Sequence, residues 1–201
     1  MIAYNRPTKY QQHEISIKNS RFITSSAYTP DKASADAFVQ QLRNEHPGAN
    51  HNCWAHVVGK PEDARGWGCS DDGEPKGTAG RPMLNVLSHS GLGDITVVVT
   101  RYFGGVKLGT GGLVRAYSQA VREALEHLDI EPVVPKVTLQ ITADFSMTGQ
   151  VEHLINQFEL QVLERSWEQQ LSILVRLPEE TEEALRQSVV AFSGISLESL
   201  E

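Results

Sequence analysis

Residues 91–117 constrain the fold of this chain more than any other segment. They predict a buried strand, a glycine-rich turn and an amphipathic helix in immediate succession. Residues 95–99 are almost all β-branched, which is typical of a strand covered on both faces. From Leu113 onward the apolar residues recur at helical spacing. A strand covered on both faces needs packing layers on both sides, so this segment predicts a sheet combined with helices.

The turn carries five glycines within nine positions. Glycines at the start of a helix leave backbone N–H groups uncovered where the helix dipole is positive, so an anion could bind there. Cations and aromatic rings that could stack on bases surround the same point. The alternative is a structural turn that needs glycine for positive φ angles. The candidate anion- or RNA-binding residues are Arg101, Tyr102, Phe103, Gly104, Gly105, Lys107, Gly109, Thr110, Gly111, Gly112 and Arg115.

Asp71, Asp72 and Glu74 place three carboxylates within four positions. They could hold Mg²⁺ with water molecules, pair with nearby cations such as Arg101 or Lys107, or form a solvated Asp-Gly turn. The EF-hand spacing is not met, and the turn contains neither common glycine fingerprint for nucleotides. Apart from this Mg²⁺, no metal, no cofactor and no catalytic residue is expected.

His51, Cys53 and His56 also resemble a metal-binding group. In a strand, His51 and Cys53 face one side and His56 the other, so one ion could not collect all three. Cys53 and Cys69 are the two cysteines of the chain, and we expect both to be reduced thiols.

The net charge of −7 is unevenly distributed. Residues 1–131 contain 14 Lys and Arg against 14 Asp and Glu, whereas residues 132–201 contain 4 against 11. Within the first part, residues 76–122 hold six cations against one anion, and this basic segment overlaps the glycine-rich turn. A basic patch on one domain can bind phosphate even when the whole chain is acidic.

No apolar run is long enough for a membrane span, and no signal-peptide pattern opens the chain, so a cytoplasmic location is expected. Two prolines between residues 129 and 136 predict a domain boundary, with domains at 1–131 and 136–201. In the first, strands are predicted at 14–18, 22–28 and 52–58. A helix is expected directly after the strand at 22–28, with Thr29 as its N-cap. Residues 59–80 are predicted as a long loop before a short helix at 82–89.

The second domain has the clearer pattern. Alternating apolar residues predict strands at 137–143, 160–167, 170–177 and 195–200, and helices are predicted between the first and second strands and between the third and fourth. The order β-α-β-β-α-β is that of the ferredoxin-like fold. The fold class predicted for the whole chain is α+β.

Residues 71–84 (Asp-Asp-Gly-Glu-Pro-Lys-Gly-Thr-Ala-Gly-Arg-Pro-Met-Leu) and the segment 91–117 closely resemble the signature of the IMPACT family, in particular its bacterial, YigZ-like members. The resemblance covers essentially the whole chain. It implies that the first domain has the fold of domain 2 of ribosomal protein S5, which also occurs in some small-molecule kinases. Eukaryotic relatives restrain a starvation-activated kinase that inhibits translation initiation. The resemblance thus implies a link to translation and stress response, with a translation factor or regulatory protein as partner.

Three functional hypotheses follow. The first is a non-enzymatic cytoplasmic regulator that binds the ribosome or structured RNA through the basic turn. The second is an enzyme or sensor of a phosphorylated or nucleotide ligand, with Mg²⁺ held at the acidic segment. The third is a protein-interaction adaptor that uses the acidic second domain. The sequence leaves the oligomeric state open.

Overall fold

The computed structural model describes residues 4–200, in two compact units, Tyr4–Val133 and residues 134–200. The predicted boundary lies between residues 131 and 136, and residues 1–3 and 201 of the two predicted domains lie outside the described part. The α+β class is confirmed, because each unit combines helices with antiparallel strands. No helix in the described part is long and apolar enough to cross a membrane.

The first unit is built on a five-stranded antiparallel sheet. The strands of the whole unit are β1 (Tyr4–Pro7), β2 (Gln11–Ile17), β3 (Ser20–Tyr28), β4 (His51–Val57), β5 (Trp67–Ser70), β6 (Ile95–Tyr102) and β7 (Ile130–Val133). Its helices are α1 (Lys32–Glu45), α2 (Gly80–Ser88) and α3 (Thr110–Glu126). The sheet has the order β2-β3-β6-β4-β5, and β1 pairs separately with β7.

The central strand β6 is covered on both faces, as its sequence predicts. Val97 and Val99 point into the core formed with α2 and α3, and Val98 points into a smaller core formed with α1. This alternation fixes the position of Tyr102, the last residue of β6, and hence where the glycine-rich turn begins. The turn therefore starts from a strand whose residues are almost all buried.

Two local predictions for the first unit were wrong. The N-cap of α1 is Asp31, whose side chain accepts a hydrogen bond from the Ser34 N–H, while the hydroxyl of Thr29 lies 2.7 Å from that of Thr96. The predicted loop at 59–80 contains β5, which pairs with β4. Gly68 obscures this strand in the sequence. A Cβ at this position would lie 2.3 Å from the His56 Nε2, so a larger residue would displace the His56 ring.

The second unit consists of β8 (Lys136–Ala143), α4 (Thr148–Gln157), β9 (Gln161–Trp167), β10 (Leu171–Pro178), α5 (Glu179–Val190) and β11 (Ile195–Leu200). Its sheet has the order β11-β8-β10-β9 with antiparallel pairs throughout, which is the ferredoxin-like arrangement. Leu139, Ile141, Ile173 and Val175 alternate inward onto the two helices. Each predicted element of this unit is present.

Candidate functional site

The start of α3 lies at the surface beside the glycine-rich turn. Gly109 is its N-cap residue, with φ of 73°, and no side chain caps the helix there. The carbonyl of Gly109 accepts from the Leu113 N–H at 2.9 Å, which closes the first turn. Because the first N–H groups of a helix have no partner within it, a 17-residue helix without a side-chain cap presents donors and a positive dipole end.

The glycines of the turn divide into two kinds. A Cβ on Gly104 would lie 2.0 Å from the carbonyl carbon of Asn19, so this glycine is required by a close backbone approach. A Cβ on Gly111, in the first turn of α3, would meet only the Arg115 side chain at 3.8 Å. Gly104 therefore has a structural role, whereas packing does not require glycine at position 111.

The three predicted cations do not form one surface. Lys107 and Arg115 are exposed, and within residues 4–200 neither makes an ion pair. Arg101 is only 6% exposed, and its Nη1 donates to Glu74 Oε1 at 2.5 Å. Its guanidinium lies 5.5 Å from the ring centre of Phe22 and 5.7 Å from that of Phe103. Arg101 therefore belongs to the interior, beneath the surface that carries the other two cations.

The two predicted aromatic residues also differ. The hydroxyl of Tyr102 is hydrogen-bonded to His46 Nδ1 at 2.9 Å, which fixes a half-buried ring. The ring of Phe103 is 45% exposed, while its backbone N–H donates to Asn50 Oδ1 at 2.8 Å. Phe103 thus has a fixed backbone and a partly exposed ring. We call the exposed residues Phe103, Lys107, Thr110, Gly111 and Arg115 the turn surface.

Asp71 and Asp72 organise the acidic segment. Asp71 accepts from the backbone N–H groups of Gly77, Ala79 and Gly80 at 2.7–2.9 Å, which positions the start of α2. Burial alone would raise the pKa of Asp71, but these three donors lower it by more, so the carboxyl is a stronger acid than usual. Asp72 accepts from Arg43 at 2.5 Å and from the backbone N–H of residue 52 at 2.6 Å. Both carboxylates are held by donors of the protein.

Glu74 is the buried member of the acidic segment, with a side chain 3% exposed. Its Oε1 accepts from Arg101 and, at 2.8 Å, from the Tyr117 hydroxyl, while its Oε2 lies 3.8 Å from His51 Nε2. Burial raises the pKa of the Tyr117 hydroxyl and of the neighbouring Cys53 thiol, whose Sγ donates to the Asp71 carbonyl. Across the described part of the chain, no three His, Cys, Asp or Glu side chains converge on a metal position.

A cavity of about 430 Å³ opens between the acidic segment and the turn. The buried pair of Glu74 and Arg101 lines it together with apolar side chains, and the turn contributes its edge. Its principal lining residues are Glu74, Arg101, Phe103, Lys107, Leu108 and Leu113. We call this space the Phe103 cavity. The structure thus brings Glu74, Arg101, Phe103 and Lys107 together and leaves Arg115 outside the lining.

The helical spacing that begins at Leu113 places Tyr117 on the apolar stripe of α3, but it does not reveal the hydrogen bonds that this residue makes. The ring is fully buried and packs edge-on against Phe22, as that stripe predicts. The available signal was the hydroxyl, because a buried tyrosine needs a hydrogen-bond partner. Here that partner is Glu74.

The geometry defines a two-unit α+β protein whose first unit joins a basic turn to a cavity with an ion pair among its lining residues. The Impact N-terminal domain model matches residues 18–125. An IMPACT family member of Haemophilus influenzae is 41% identical over 194 residues, covering 96% of this chain and 94% of the relative. The IMPACT family member YigZ of Escherichia coli is 41% identical over 184 residues, covering 92% and 90%. The chain belongs to the IMPACT family.

A solved structure supports the same relationship across both units. The crystal structure of a hypothetical protein is 38% identical, with a TM-score of 0.73, and the match covers 100% of this chain and 98% of that one. The similarity therefore extends beyond the first unit and includes the ferredoxin-like unit.

Proposed function

We propose that this protein is a cytoplasmic, non-enzymatic regulator linked to translation, and that it binds the ribosome or structured RNA through the turn surface. The proposal rests on three features that lie together in the first unit. An uncapped helix N-terminus, two exposed cations with no ion pair in the described chain, and an exposed aromatic ring lie along one turn. Each group fits a different part of RNA, because N–H groups and cations bind phosphate and aromatic rings stack on bases.

The charge of the turn surface sets the expected salt dependence. Lys107 and Arg115 are its two cations, since Arg101 is neutralised by Glu74. At a log–log slope of about −0.9 per phosphate contact, two contacts predict roughly a tenfold loss of affinity between 50 and 200 mM salt. This is a weak interaction with a moderate salt dependence, suited to a large RNA surface that supplies further contacts.

The test is co-sedimentation with purified ribosomes and subunits over that salt range. The variant K107E/R115E should lose binding. The matched control is K32E/R122E, which changes the net charge equally. Arg122 lies seven residues beyond Arg115, about 10 Å further along α3, which exceeds the ~8 Å screening length at physiological salt. Lys32 is on α1, which packs on the opposite face of the sheet.

The result separates the three hypotheses. Salt-sensitive binding that is lost only in K107E/R115E supports the proposal. Absence of ribosome and RNA binding, with thermal stabilisation by nucleotides and Mg²⁺, would favour the enzyme or sensor instead. Capture of a basic protein partner by the full chain, unaffected by K107E/R115E but lost when Glu residues of the second unit are neutralised, would favour the adaptor.

A further inference from the structure

The Phe103 cavity has the size and the wall chemistry of a ligand site. Its volume of about 430 Å³ lies within the usual range for such sites, roughly 300–1,000 Å³. Phe103, Leu108 and Leu113 give it apolar walls, and the ring of Phe103 is partly exposed. A flat, largely apolar group can therefore lie against these walls.

The buried ion pair in the lining has unused hydrogen-bonding capacity. Glu74 Oε1 accepts both of the bonds that this carboxylate receives from Arg101 and Tyr117, and Oε2 is 3.8 Å from its nearest ion-pair partner, His51. Arg101, which is 6% exposed, has a buried Nε without a hydrogen-bond partner in the described chain. A buried N–H without an acceptor is uncommon and costly in proteins. The Glu74 carboxylate and the Arg101 guanidinium both line the cavity, so a ligand group that pairs a donor with an acceptor can bond to the two together.

The rim of the cavity is positively charged and favours an anion. Lys107, Gly109 and Thr110 line the side where α3 begins without a side-chain cap. A phosphate at this point would meet an exposed ammonium group and the positive end of the helix dipole. The rim and the interior therefore differ in chemistry, with an anion site outside and a flat hydrogen-bonding site inside.

We infer that the Phe103 cavity holds one unpaired nucleotide, with its phosphate at Lys107 and the α3 terminus and its base against Phe103 and the Glu74–Arg101 pair. Every base has a stacking face and a Watson–Crick edge on which a donor adjoins an acceptor, and inside a duplex both faces are stacked and this edge is paired. The inference rests on the proposed function and narrows it. The RNA bound by the turn surface should present a single-stranded loop, bulge or end.

The experiment compares fluorescently labelled RNAs by anisotropy at one salt concentration. A hairpin with an unpaired loop, a blunt duplex of equal phosphate number and the four ribonucleoside 5′-monophosphates are the probes. The loop RNA should bind about tenfold tighter than the duplex. F103A should weaken binding of the loop RNA about tenfold and so remove most of this difference. F145A is the matched control, because Phe145 is a similarly exposed aromatic residue in the second unit. Both substituted rings are exposed, so the variants should fold.

Each outcome bears on a different step. Equal affinity for loop and duplex, lost in K107E/R115E, would overturn the cavity inference and leave the proposed function standing. Binding of free monophosphates but of neither RNA, lost in F103A, would support the nucleotide cavity and overturn the RNA-binding function. If none of the probes binds, both fail.

Discussion

The buried pair Glu74–Arg101 gives the sharpest test of how the acidic segment and the turn are held together. Both side chains are at most 7% exposed, so Glu74→Met leaves a buried guanidinium without its partner, and Arg101→Met leaves a buried carboxylate. Losing one partner of such a pair costs about 3–5 kcal/mol. For a domain of about this size, each kcal/mol corresponds to roughly 4 °C in Tm. Each single variant should therefore lower the Tm of the first unit by about 12–20 °C.

The assay is urea and thermal unfolding followed by tryptophan fluorescence in a Trp167→Phe background, in which the two tryptophans left, Trp54 and Trp67, belong to the first unit. The double variant E74M/R101M completes the cycle. An apolar pair of similar volume can replace a buried ion pair at little cost, so the double variant should be more stable than either single one. Single variants that lose less than about 1 kcal/mol, or a double variant whose loss equals the sum of the two, would refute the reasoning.

Three further predictions concern residues around the site. Gly104→Ala should lower the unfolding free energy by about 1–3 kcal/mol, because the added Cβ would overlap the backbone of Asn19 and Ser20. Gly111→Ala should raise it by up to about 1 kcal/mol through helix propensity. Urea titration of both variants measures the two changes. The lowered pKa of Asp71 means that the stability it confers is present above about pH 4 and lost as the pH falls below it. Asp71→Asn should therefore reduce the pH dependence of the unfolding midpoint between pH 2.5 and 5. A pH dependence equal to that of the unmodified protein in this range would contradict the prediction. With a thiol reagent at pH 8 the half-buried Cys69 should react and the buried Cys53, whose pKa burial raises, should not; two fast-reacting thiols would argue against the buried position of Cys53.

The sequence predicted elements well where the apolar period is regular and local. In the second unit, Leu139 and Ile141 alternate cleanly with polar neighbours, so each strand and helix could be located. In the first unit, the prediction misses β5 because glycine is uncommon in strands. The sequence does not show that Gly68 packs closely against the side chain of His56 on β4. The N-cap prediction for Thr29 is wrong because its hydroxyl faces that of Thr96, a contact that the sequence does not show. Both errors come from contacts between distant segments.

The candidate site shows the same limit. The exposed turn and the start of α3 follow from glycine spacing and helical period, and these could be predicted. The burial of Arg101 could not, because a cation in a sequence does not reveal that Glu74, 27 positions earlier, neutralises it. The cavity was missed for the same reason, since its lining combines the acidic segment with the turn and α3. Charge patterns identified the region but not which charges remain available to a ligand.

The ribbon formed by β1 and β7 has a consequence for synthesis of the chain. Tyr4 lies opposite Val133 and Pro7 opposite Ile130, so the first strand obtains its ladder partner only when the last strand of the unit has been made. At about 5–20 residues per second, the roughly 126 intervening residues take about 6–25 s to synthesise. During that interval the backbone of β1 lacks the ladder that holds it in the finished unit. A product terminated before residue 130 would keep this open edge permanently and would be prone to pair with other chains.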